Sequence, residues 1–150
     1  MRLRLALISL AMLMPLSTVR ATEPVQFDYM MNCQGCHLAD GAGFPARSVP
    51  AIKNHMGKFL LVEGGREFLI QVPGSAQSDL DNARLTAVVN WMLETFSANA
   101  LPEDFEPYTE QEVAGLRVAP LVDVKGTRAT LMRKIALIDT AIGTTTGSTP

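Results

Sequence analysis

The sequence predicts an all-α fold. Three observations carry that expectation. Apolar side chains recur at helical spacing along several segments, capping residues stand where those segments begin, and no stretch of useful length alternates polar and apolar residues as a half-buried strand would. The chain has 150 residues, enough for one domain with one core.

At the N-terminus, Arg2 and Arg4 precede an apolar run from Leu5 to Val19, and Val19-Arg20-Ala21 offers a cleavage site before Thr22. This is the pattern of an export signal, expected to span residues 1–21. The alternative is a membrane anchor. It fits less well, because a spanning helix wants about 20 apolar residues and Pro15 interrupts this run. Removing the segment takes three arginines and no acids, leaving ten basic against fifteen acidic side chains. Such a balance lacks the basic footprint of a nucleic-acid-binding protein. The expected location is the periplasm or another exported compartment.

Val25 to Asn32 reads as the first helix, with Val25, Tyr29 and Asn32 or Cys33 at helical spacing. Gly41, Gly43, Pro45 and Pro50 then punctuate a loop. Short helices are expected over Met56–Val62 and over Arg66–Val72, the second following Gly64-Gly65 and ending before Pro73. The clearest helix runs from about Asn82 to Ser97. Asp81 caps it, and Leu85, Val88, Val89, Met92 and Phe96 form one apolar stripe with Trp91 at its edge.

A proline-bracketed connection from Leu101 to Tyr108 leads to Thr109 and Glu112, which have the spacing of a capping box for a helix over Glu110–Val118. Thr127 is the expected cap of a last helix carrying Leu131, Ile135, Ile138 and Ile142, with Gly143 as its stop and residues 144–150 as a disordered tail. The expected organisation is a domain over 22–100 and a helical extension over 101–143.

The first helix runs into Cys33-Gln34-Gly35-Cys36-His37, which contains both cysteines of the chain. On a helical turn, Cys33 and Cys36 project from one side of the backbone, so each thiol can add to one vinyl group of a haem lying across it. His37 follows directly and reaches the iron from the same side. One segment thus anchors a single covalent haem c at three points. Zinc would want four ligands, and outside the motif only His55 is available to join them. A thioredoxin-like redox pair would want a βαβ context that is missing, and a structural disulfide is disfavoured by the two-residue spacing.

Beyond that motif, the chain resembles the small class I c-type cytochromes over about residues 25–98. The resemblance is carried by Tyr29 four residues before Cys33, by the Cys-His motif, by Val49-Pro50-Ala51-Ile52, and by Asp81 to Phe96 with its Trp91. It implies a core of three to five helices with a helical C-terminal extension. It also implies that the first helix crosses the last core helix, that Tyr29 packs on Trp91, that the Pro50 carbonyl accepts the imidazole N–H, and that His37 is the proximal iron ligand.

The family usually supplies a methionine as sixth ligand just before the last core helix. Here that segment, about Val72 to Leu80, has none. Four other side chains remain candidates: Met56, His55, Met92 and, in the extension, Met132. An iron with no protein ligand on that side is the further alternative. One of Arg47, Lys53, Lys58 and Arg66 is expected to pair with a haem propionate. The acids between Glu94 and Glu112 form either a solvated face or a docking surface for a basic partner, and the last helix packs on the haem domain or binds a partner subunit.

The function this implies is non-enzymatic: single-electron transfer between exported redox proteins such as a periplasmic dehydrogenase and a terminal oxidase. Two alternatives stand beside it. An open distal site would make the protein a sensor or a weak peroxidase-like enzyme, and docking through residues 99–142 would make it a fixed subunit of a larger dehydrogenase complex.

Overall fold

The computed structural model of the chain describes residues 24–146, with side chains described as far as residue 140. The expected export signal, 1–21, and the last four residues of the expected tail lie outside the described residues. The described residues form an all-helical fold: α1 (Pro24–Asn32), α2 (Gln34–His37), α3 (Gly65–Gln71), α4 (Pro73–Ala76), α5 (Asn82–Phe96), α6 (Glu110–Arg117) and α7 (Val124–Thr146), with 3₁₀ turns at Pro45–Arg47, Met56–Leu61 and Ala98–Ala100. An isolated bridge, Phe44 to Val49, closes the loop after α2. No described helix is long and apolar enough to cross a membrane.

The α5 stripe explains the core. Leu85, Val88, Val89 and Met92 are buried as the spacing predicts, and Leu93 joins them. Asp81 caps the helix by accepting the Arg84 amide at 2.8 Å, satisfying a donor that a helix start leaves free. Helix α1 lies against α5, and buried Asp28 accepts from Arg84, with Nε to Oδ2 at 3.0 Å. Tyr29 sits between Trp91 and Phe96, with ring centroids 5.3 and 5.1 Å away. Its hydroxyl donates to the Leu38 carbonyl at 2.6 Å. Phe59 of the second 3₁₀ turn stacks on Phe68 of α3 at 5.1 Å. Gly65 makes that packing possible, since a Cβ there would stand 1.9 Å from the Phe59 carbonyl oxygen.

Four segments differ from the sequence reading. The Val72–Leu80 segment is not all loop: Pro73 occupies the first turn of α4, where its missing N–H costs nothing. Tyr108, expected in a connecting stretch, is buried. Asn90 pairs with its backbone in both directions, at 2.8 and 3.0 Å, and the hydroxyl donates to the Arg66 carbonyl at 2.7 Å. The last helix starts at Val124 rather than beyond Thr127, because Asp123 accepts the Gly126 amide at 2.8 Å and supplies the cap. It also continues through Gly143 to Thr146. A single glycine costs a helix only about 1 kcal/mol, too little to stop one already running.

The extension packs onto the core. Helix α6 begins with the expected cap, the Glu112 amide donating to Thr109 Oγ1 at 3.2 Å. The Glu112 carboxylate binds Arg66 of α3 at 2.5 and 2.8 Å. Leu131 and Ile135 of α7 are buried, while Ile138 is half-buried. Lys58 pairs with Asp139 at 2.7 Å. Lys134 donates to the Glu63 carbonyl at 3.1 Å.

Candidate functional site

The Cys-His motif forms one tight turn because a single carbonyl collects its amides. Cys33 O accepts from Cys36 N at 3.2 Å and from His37 N at 3.0 Å, while Cys33 N donates back to Tyr29 O at 2.8 Å. The turn is therefore continuous with α1, and the Tyr29–Trp91 packing that fixes α1 also fixes the two thiols. Neither cysteine is in a disulfide; Cys33 is half-buried and Cys36 exposed. Burial, with Asp28 and Cys36 nearby, pushes the Cys33 thiol up to about 11.

His37 is half-buried at the end of this turn. Desolvation lowers its pKa, partly offset by the Pro50 carbonyl facing the ring. That approach falls short of a hydrogen bond of normal geometry, so the buried Nδ1 stands without a partner. Gly43 holds the Pro50 segment in place. It has φ 73°, and a Cβ there would stand 2.5 Å from the Pro50 carbonyl. Among the described residues no three His, Cys, Asp or Glu side chains gather as a metal cage.

A cleft of about 480 Å³ opens beside the turn, within the ~300–1,000 Å³ range of cofactor sites. Cys36, His37 and Pro50 line it, and Met56 and Met92 also reach it. Both methionines are buried, at 4% and 8% exposure. Phe59, Phe68 and Leu69 add apolar wall. The remaining sequence candidates stand elsewhere. Tyr29 and Trp91 buttress the turn without lining the cleft. His55 is exposed, with Nδ1 3.1 Å from the Asn54 carbonyl, and lines a neighbouring cavity instead. Met132 is half-buried against the core away from the cleft.

The four cations expected near a propionate are engaged elsewhere and do not line the cleft. Lys53 lies 3.7 Å from Asp40, Lys58 binds Asp139, Arg66 binds Glu112, and Arg47 sits over the Phe44 ring. What the sequence reading missed is the contribution of α7, whose Val124, Lys125 and Arg128 line the cleft. The signal was present in Asp123, a better cap than Thr127, which places those three residues in the first turns of a helix.

No protein-family model matches the chain. Cytochrome c-552 of Thermus thermophilus is 30% identical over 107 residues, a match covering 59% of this chain and 81% of that protein. The chain belongs to the c-type cytochromes. A second cytochrome c-552 of Thermus thermophilus is also 30% identical over 107 residues, with 72% of its length covered. That membership agrees with the expected non-enzymatic role of this cytochrome.

Proposed function

We propose that the chain is an exported monohaem cytochrome of the class I kind, carrying single electrons between redox proteins such as a periplasmic dehydrogenase and a terminal oxidase. The observation that carries the reading is the half-buried His37 ring on the same apolar cleft as the Cys36 thiol and two buried methionines. These residues fit a covalently held haem. The cleft has the size and apolar lining, the imidazole lines it, and the thiols share one turn.

Bound haem supplies a one-electron iron couple whose potential follows ligation, burial and hydrogen bonding. Cys33 and Cys36 would hold the ring by thioether bonds, and the His37 imidazole, which the Pro50 carbonyl faces, would ligate the iron. Met56 or Met92, which line the same cleft, would supply a sulfur ligand. Tyr29 and Trp91 keep the attachment turn seated on α5. Residues 1–21 direct export, 22–100 form the haem domain and 101–143 the extension.

One observation favours an open distal site instead: Val72, Pro73, Gly74 and Ser75 reach the cleft where the family's methionine would stand. Carbon monoxide added to the reduced protein separates the readings. A ferrous spectrum unchanged by the gas, with rapid electron exchange, is the expected result. Rapid binding of the gas with high-spin features would make the protein a ligand-binding haem protein.

A further inference from the structure

The described residues contain ten cationic side chains, and eight of them are engaged. Arg66, Arg84, Lys58 and Lys53 pair with carboxylates. Arg117 donates to the carbonyls of Ala76, Ser78 and Leu80. Lys134 and Arg133 hydrogen-bond to Glu63 O and Thr130 Oγ1, and Arg47 lies over Phe44. Lys125 and Arg128 are the two cations among the described residues with no ion pair, side-chain hydrogen bond or ring contact. Both line the cleft that His37 faces. Both also line the adjoining cavity of about 530 Å³, which shares the Ser48–Ala51 wall with it. The nearest acid in sequence, Asp123, is taken up by the Gly126 amide at 2.8 Å.

We infer that Lys125 and Arg128 form a carboxylate site for the haem propionates, so that the C-terminal extension completes the cofactor pocket. The inference rests on the haem reading. Propionates brought into a largely apolar cleft need cationic or hydrogen-bonding partners, and His55 and these two side chains are the cationic or titratable groups on the adjoining wall. Helix α7 holds the pair in place, because Leu131 and Ile135 are buried and Leu121 N bonds Gln71 O at 2.9 Å just before it. An arginine fork suits a planar carboxylate, while the lysine adds a point charge.

The test uses the full-length holoprotein carrying Lys125→Gln, Arg128→Gln or both, with Arg133→Gln as a control on the same helix. Resonance Raman propionate-bending bands and the midpoint potential at one pH and ionic strength are read together. The bands are expected to shift in each cleft variant, and the potential to fall, because removing a nearby positive charge favours ferric iron. Arg133→Gln should leave both unchanged, and Arg128→Lys should restore part of the effect. Bands and potential unchanged in a double variant that still holds its haem would overturn the inference, even if electron exchange with a partner slowed. A wild-type chain without covalent haem would overturn the haem reading itself.

Discussion

Burial strips water from the His37 ring and lowers its pKa, so the imidazole stays neutral where an exposed histidine begins to take a proton. A neutral ring is what a metal ligand requires. The two methionines that line the same cleft are a different kind of residue problem. Both are buried and both reach the cleft, and thioether side chains serve as well for filling gaps as for ligation. Leucine separates these roles, since Met-to-Leu exchanges in a core cost less than about 1.5 kcal/mol. Met56→Leu and Met92→Leu should both fold. Only one of them should lose the weak long-wavelength sulfur-to-iron band of the ferric protein. If the band is absent from the parent, or survives both changes, neither methionine is the ligand.

At the scale of elements, the C-terminal helix is the part whose role shifts most. Its buried Leu131 and Ile135 hold Lys125 and Arg128 at the cleft. Leu131→Ala should lower unfolding free energy by about 2–5 kcal/mol in denaturant titrations and expose the cleft to faster ligand entry. A loss below about 0.5 kcal/mol would mean that the helix is loosely attached. Asp81→Ala, which removes the α5 cap, should cost about 1 kcal/mol and leave the haem spectrum alone.

What the sequence disclosed at this scale follows from range. The α5 stripe, the Asp81 cap and the Thr109–Glu112 cap are local patterns and were readable. The burial of Tyr108 depends on Asn90 and Arg66, 18 and 42 residues away, and no local pattern records it. The site divides in the same way. Five contiguous residues encode the Cys-His turn, whereas the walls come from segments spread between Cys36 and Arg128, and their meeting is a tertiary event.

Across the whole molecule, two carboxylate–arginine pairs tie distant segments together. Asp28 meets Arg84 across 56 residues, and Glu112 meets Arg66 across 46. Hydrogen bonds from those arginines hold both acids below their ordinary values of 3.8 and 4.5. A carboxylate lowered in the native state stabilises fully above its unfolded pKa, and that contribution is lost as pH falls through the native one. Stability should therefore fall in acid below about pH 4, with Asp28→Asn and Glu112→Gln each flattening that acid limb in pH-dependent thermal unfolding. An acid limb unchanged in both variants would assign acid sensitivity to other groups.

The same whole-molecule view makes the covalent haem the central claim, since the cleft, the paired thiols and the extension all converge on it. Intact-mass measurement of the purified, exported protein tests it most directly. The account predicts one haem added per chain, and its loss when Cys33 and Cys36 are both replaced by alanine. A chain at the mass of the bare polypeptide, with the two thiols free or joined to each other, would contradict it.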